Sequence, residues 1–132
     1  MIVLDASAAV ELAVWPEEAP EISGAMAGQQ VRAPAHFDKE VYAAVLRLQR
    51  RREISAGQAA LGLARTARLP AERVPLAQML AEAYVMRDRF SPGDVFYAVL
   101  ARRTSAVLVT CDASLARAAE GYVEVKLVAR HA

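Results

Sequence analysis

Short apolar runs alternate along this chain with longer stretches in which apolar residues recur every three or four positions. The short runs are bounded by turn-forming or polar residues, and they predict buried strands at residues 2–4, 31–33, 73–74, 107–109 and 123–128. The longer stretches predict helices at residues 7–14, 17–27, 35–51, 55–67, 76–88, 92–103 and 113–119. Because strands and helices alternate, the pattern predicts an α/β fold with a mainly parallel central sheet covered by helices on both faces.

The size and composition fit one folded domain. The chain has 132 residues, of which 55% are hydrophobic, so we expect a single domain over residues 1–132. The lone Cys111 rules out an intramolecular disulfide. The start of the chain lacks a basic leader, and no apolar run is long enough to cross a bilayer. These features predict a cytoplasmic protein with no membrane partner. The net charge of +1 excludes no class of partner.

One carboxylate occupies an unexpected position in the helical pattern of residues 35–51. The apolar residues of this helix form one stripe, which consists of Phe37, Val41, Ala44, Val45 and Leu48. Glu40 falls within that stripe, so the pattern predicts that it faces the core. An unpaired carboxylate facing a core costs several kcal/mol. Glu40 therefore needs a cation, a proton or several hydrogen-bond donors.

Three further acids stand at the ends of predicted elements. Asp5 and Asp112 follow apolar strands, and Asp94 precedes the apolar helix that continues with Val95. Sites in open α/β sheets form just beyond the carboxyl ends of the strands, so these acids and Glu40 could converge there. Four carboxylates would repel one another unless a divalent cation neutralised them. Oxygen-only ligands suit Mg²⁺ or Mn²⁺.

Helix capping is the alternative interpretation for three of these acids. Asp5 could cap residues 7–14 and Asp112 could cap residues 113–119. Ser91, followed by a proline, and Asp94 fit a capping arrangement at a helix start. No comparable structural role explains the position of Glu40.

The segments that carry these acids resemble the acidic motifs of PIN domains. The matching segments are the opening strand with Asp5-Ala6-Ser7, residues 32–41, residues 90–101 and residues 107–116. They occur in the order and at the spacing of that family and span nearly the whole chain. The chain looks most similar to VapC-type toxins, which are small single-domain ribonucleases of toxin–antitoxin pairs. Gly93 departs from the resemblance, because many relatives carry a bulky or aromatic residue there.

The resemblance implies a function and a site. It implies a PIN-like three-layer fold and a Mg²⁺- or Mn²⁺-dependent endoribonuclease, the toxin of a type II toxin–antitoxin system. Such an enzyme hydrolyses phosphodiesters of structured RNA, such as transfer or ribosomal RNA, with metal-activated water. The catalytic and metal-binding residues would be Asp5, Glu40, Asp94 and Asp112. The implied partners are RNA, a VapB-type antitoxin and a second copy of the chain.

Two hydroxyls and three arginines are candidates for supporting roles. Ser7 and Thr110 lie beside the strand ends, where they could orient the acids or only stabilise turns. Arg47, Arg50 and Arg51 could bind RNA phosphates, or they could be solvated cations that favour the carboxyl end of a helix.

Two other functional classes remain possible from the sequence. One is a catalytically idle PIN-fold binding module, although all four acids are present. The other is a different Mg²⁺-dependent phosphoryl-handling α/β domain. A response-regulator receiver would need an extra acidic pair after the first strand, and a haloacid dehalogenase-type phosphatase would need a second acid at Ser7.

Overall fold

The centre of the molecule is a sheet of parallel strands, seen in a computed structural model that describes residues 1–131. The strands are β1 (Ile2–Leu4), β2 (Val31–Pro34), β3 (Ala71–Val74), β4 (Val107–Thr110) and β5 (Val125–Leu127). They lie in the order β3-β2-β1-β4-β5, and each neighbouring pair is parallel. The predicted fold class, an α/β structure with a parallel sheet, is confirmed.

Seven α-helices surround this sheet within residues 1–131. They are α1 (Ala6–Val14), α2 (Pro20–Met26), α3 (Phe37–Arg50), α4 (Ala56–Arg68), α5 (Leu80–Val85), α6 (Val95–Thr104) and α7 (Ala113–Ala119). Ile2, Val3 and Leu4 of β1 are all buried. Because successive strand residues face opposite sides of a sheet, both faces are covered there. None of the helices in the described part of the chain is long and apolar enough to cross a membrane.

The strand order places two acids side by side. β1 pairs with β2 on one side and with β4 on the other, so the order reverses at β1. Leu4 is in register with Val109, and the backbone N–H of Asp5 donates to the Val109 carbonyl at 2.9 Å. Asp5 and Asp112 therefore leave adjacent strands at the carboxyl edge of the sheet.

Two predicted helices are shorter than the periodicity indicated. The helix predicted at residues 17–27 is replaced by a 3₁₀ turn over Pro16–Glu18 and then α2, which starts at Pro20. Pro20 has no N–H to continue a helical ladder, so the helix restarts there. Residues 76–88 contain a 3₁₀ turn over Leu76–Met79 followed by α5, which ends at Val85.

The predicted helix at residues 92–103 begins later than expected. Residues 92–94 form a turn, and α6 starts at Val95. The Ser91 hydroxyl accepts a hydrogen bond from the Asp94 N–H at 3.2 Å, as the capping interpretation expected. The Asp94 carboxylate itself makes no capping hydrogen bond. Its charge is therefore not explained by the start of the helix.

Candidate functional site

A cleft at the carboxyl edge of the sheet brings the predicted acids together. Its volume is about 520 Å³, and its walls include Asp5, Glu40, Asp94 and Asp112. These side chains come from the end of β1, from α3, from the start of α6 and from the end of β4. Acids that are up to 107 residues apart in the chain thus share one solvent-accessible space.

Asp5 is the buried acid of the cleft. It is 5% exposed, and burial raises its pKa above the ordinary value. Its Oδ2 accepts hydrogen bonds from the Ser7 hydroxyl at 2.5 Å and the Thr110 hydroxyl at 2.8 Å. The Ser7 hydroxyl also accepts a hydrogen bond from the Cys111 N–H at 2.9 Å. The two predicted hydroxyls therefore hold Asp5 in one orientation.

Asp112 combines a capping role with a place in the cleft. Its Oδ1 accepts from the N–H groups of Ser114 at 2.8 Å and Leu115 at 3.3 Å, so it caps α7. The Thr110 hydroxyl in turn accepts from the Asp112 N–H at 3.0 Å. Capping occupies Oδ1 and leaves Oδ2 available to a ligand. The structural and functional interpretations of Asp112 are thus compatible.

Glu40 is less buried than the helical pattern predicted. Phe37, Val41 and Val45 are buried, but the Glu40 side chain is 33% exposed at the edge of their stripe. The prediction that Glu40 faces the core was therefore wrong in extent, because the side chain is partly exposed. Its Oε1 accepts a hydrogen bond from the Tyr97 hydroxyl at 2.7 Å. Glu40 reaches solvent through the cleft while its stem lies against the core.

Tyr97 is a site residue that the sequence interpretation missed. Its side chain is fully buried, and burial together with the hydrogen bond to Glu40 raises its pKa far above the ordinary value. The hydroxyl thus stays protonated and remains a donor to Glu40. Tyr97 is three residues after Asp94, and residues at that spacing share a helix face. That spacing was the signal that could have indicated it.

The turn before α6 lies directly against Glu40. His36 Nε2 is 2.8 Å from the Gly93 carbonyl, an acceptor, so Nε2 carries a proton. A Cβ added at Gly93 would lie 2.9 Å from Glu40 Oε2. Because residue 93 is a glycine and not the bulky or aromatic residue of many relatives, the Glu40 carboxylate has room to lie over the turn. His36 fixes the start of α3 against that turn.

The charges of the cleft repel one another. Burial, with the charges of Asp5 and Asp112, raises the pKa of Asp94 from 3.8 to about 6, and Glu40 adds to this. A bound cation would relieve this repulsion. The donor set is all oxygen, which suits Mg²⁺ or Mn²⁺ in kind.

The spacing of the acids restricts how an ion could be held. Within residues 1–131 no three His, Cys, Asp or Glu side chains are close enough together to hold an ion as they stand. Mg²⁺ keeps several waters and needs only one or two carboxylates directly, so one or two of the four acids would be enough to hold such an ion.

Cations occupy part of the cleft wall. Of the three predicted arginines, Arg47 and Arg51 line the cleft, whereas Arg50 is exposed and does not line it. Lys39 and Arg130 also line it, and neither was predicted. Arg130 was missed because it lies 90 residues from Glu40 in the sequence. Only the folded chain places it at the site.

The raised pKa of Asp94 predicts a pH-dependent stability without divalent ions. An unfolded Asp94 ionises near pH 3.8, whereas the folded residue keeps its proton until about pH 6. The folded state therefore loses stability as pH rises from about 4 to about 6. The Asp94→Asn variant lacks this pH-dependent loss of stability. Its free energy of unfolding should therefore exceed that of the wild type by an amount that grows as pH rises over that interval. Urea unfolding of both proteins in EDTA at several pH values measures it. A constant difference between the two proteins would contradict the predicted coupling.

Comparisons with known proteins identify a matching family model and similar chains. Residues 2–121 match the family model of the PIN domain. The chain is 37% identical over 129 residues to Ribonuclease VapC12 of Mycobacterium tuberculosis, which covers 98% of this chain and 100% of that protein. It is 36% identical over 118 residues to Ribonuclease VapC3 of the same organism, covering 89% and 86%.

Two solved structures are similar in fold. One is the crystal structure of FitAcB from Neisseria gonorrhoeae, with 19% identity and a TM-score of 0.67 over 95% of this chain and 96% of that chain. The other is the structure of FitAB bound to IR36 DNA fragment, with 20% identity and a TM-score of 0.58 over 96% and 94%. At these identities the similarity shows the fold alone.

Proposed function

Because the chain belongs to the PIN domain family, we propose that it is an endoribonuclease toxin of a type II toxin–antitoxin pair. The resemblance on which this function was predicted is confirmed by the family match. The relatives named as ribonucleases align over most of their own length, which supports the same reaction for this chain. The family match also argues against the alternative that the chain is a different phosphoryl-handling α/β domain.

One observation carries the proposal, namely the convergence of four acids in a cleft with cations on its wall. The acids are Asp5, Glu40, Asp94 and Asp112. Burial, together with the charges of the other acids, raises the pKa of Asp94, which supports a cluster that meets positive charge. An idle binding module would have no need for such a cluster.

We expect Mg²⁺ or Mn²⁺ to be the ion that these four acids hold. When bound, such an ion supplies Lewis acidity toward a phosphodiester and lowers the pKa of water. The residues of the chain orient the site. Ser7 and Thr110 hold Asp5, and Tyr97 holds Glu40.

The cations would position the substrate. Lys39, Arg47 and Arg51 lie on or just after α3, on the wall of the same cleft. Contacts of such side chains with RNA phosphates fix the register of a strand without reading its sequence. Structured RNA, such as transfer or ribosomal RNA, is the substrate class that the resemblance implies.

Removing divalent ions tests the reaction directly. Purified protein should cleave a mixture of transfer and ribosomal RNA in Mg²⁺ or Mn²⁺ and should stop in excess EDTA. Adding the ion back in excess should restore cleavage, and either ion should raise the melting temperature because it neutralises the acids. Gel electrophoresis of the RNA and a thermal melt measure the two effects. Cleavage that persists undiminished in EDTA would rule out the metal dependence, and no cleavage in either ion would favour the idle binding module.

The proposed partners and the proposed cellular location follow from the resemblance. A VapB-type antitoxin would cover the acidic cleft and could offer a basic side chain to the carboxylates. A homodimer would cover apolar residues such as Leu80, Tyr84 and Val85 of α5, which are 56%, 67% and 73% exposed. We propose one PIN domain over residues 1–132 that acts in the cytoplasm, where its RNA substrates are.

A further inference from the structure

The chain after β5 is fixed to the body of the protein at two points. Val128 is buried, and its N–H donates to the Thr110 carbonyl at 2.8 Å. His131 packs its ring on Trp15 of the α1 end, with ring centroids 3.5 Å apart. This segment, residues 128–131, is tied down on both sides of Arg130.

The second attachment also gives a buried carboxyl group a polar partner. Glu11 of α1 is 4% exposed, and its Oε2 lies 2.7 Å from His131 Nδ1. Within the described residues, His131 is the one basic group within ion-pair distance of Glu11. Without His131 the buried Glu11 carboxyl would lose this partner, so the contact favours the attached position of His131. The attachment therefore has an energetic basis beyond ring stacking.

Arg130 lies between these two attachments and lines the cleft of the four acids. It is exposed, and no carboxylate in residues 1–131 is within ion-pair distance of it. Its guanidinium is thus available to a ligand in the cleft. A planar guanidinium matches phosphate oxygens through paired hydrogen bonds.

We propose that Arg130 is an RNA phosphate contact, positioned by the attachment of His131 to Glu11 and Trp15. This inference rests on the proposed ribonuclease function and identifies how its site holds the substrate. Arg47 and Arg51 reach the cleft from the end of α3, so RNA in the cleft meets cations from two separate elements.

Binding of a single-stranded RNA probe tests the role of Arg130. The probe is a fluorescein-labelled RNA of mixed sequence, and all proteins carry Asp5→Asn so that the probe stays intact. Arg130→Gln should weaken binding about five- to tenfold for every probe sequence and lower the slope of log K against log salt by about 0.7 to 1. Arg68→Gln is the matched control, because Arg68 is exposed and does not line the cleft. Fluorescence anisotropy at several salt concentrations gives both quantities.

A second variant tests the positioning by His131. Trp15 is the only tryptophan of the chain, so its fluorescence reports whether His131 is in contact. His131→Ala should change the Trp15 emission and weaken RNA binding to a similar extent as Arg130→Gln. Arg130→Gln should leave the emission unchanged. A merely structural role of the segment would shift the melting temperature without this change in the salt slope.

The outcomes separate this inference from the proposed function. If the wild-type chain cleaves RNA while Arg130→Gln matches Arg68→Gln in affinity and salt slope, the inference on Arg130 is wrong and the ribonuclease function stands. Faster cleavage by Arg130→Gln in a chain that keeps Asp5 would also overturn it, since Arg130 would then compete with substrate or metal in the cleft. If the wild-type chain neither binds nor cleaves RNA, both fail.

Discussion

Asp5→Asn should remove RNA cleavage while leaving the fold intact. Asn keeps an oxygen that can accept from Ser7 and Thr110, so the buried hydrogen bonds survive. The variant loses the charge that a cation needs. Groups that only support a metal ligand cost roughly 10- to 100-fold when removed, so we expect a larger loss here. The measurement is the rate of RNA cleavage in saturating Mg²⁺.

Stability provides the second readout for this variant. Burial raises the pKa of Asp5, so its ionised form destabilises the folded state at neutral pH without a cation. Asp5→Asn should thus unfold at an equal or higher urea concentration in EDTA. Asp88→Asn is the control, because Asp88 is exposed and lies outside the cleft. If Asp5→Asn cleaves RNA as fast as Asp88→Asn, Asp5 is not part of the site.

Gly93→Ala should reduce cleavage by displacing Glu40. The added Cβ would lie 2.9 Å from Glu40 Oε2, which is closer than two such atoms can approach. The Glu40 carboxylate is the end of a flexible side chain, so it can move without unfolding the protein. Its hydrogen bond with Tyr97 would then weaken. A displacement of about 1 Å at a reacting site can cost roughly 100-fold in rate.

The control for this prediction is another glycine. Gly24 in α2 has nothing within 4 Å of an added Cβ, so Gly24→Ala should keep full activity and gain about 0.5–1 kcal/mol of stability. Tyr97→Phe should reduce cleavage in the same direction as Gly93→Ala, because it also frees Glu40. Cleavage rates and thermal melts of the three variants measure these changes in activity and stability. Full activity in Gly93→Ala would show that the position of Glu40 over the turn does not matter.

Local sequence was sufficient to predict the fold class, and it indicated the four acids as candidates for the site. The strands read as short apolar runs, and parallel strands end at the same edge of their sheet, so Asp5 and Asp112 were expected at that edge. The pairing of β1 with β4, which the sequence did not predict, places them side by side. The order of the acidic motifs indicated the family. Proline interrupted the predicted helix at residues 17–27, because Pro20 has no N–H to continue the helical ladder.

Only the tertiary structure decided how the site is completed. Periodicity placed Glu40 on an apolar stripe, but its exposure depends on how far the neighbouring turn at Gly93 covers it. The donor to Glu40 is Tyr97, which lies 57 residues away in the chain. Arg130 lines the cleft next to His131, which contacts Glu11 across 120 residues of sequence. Contacts of such sequence separation leave no local pattern, because each depends on the packing of several elements at once.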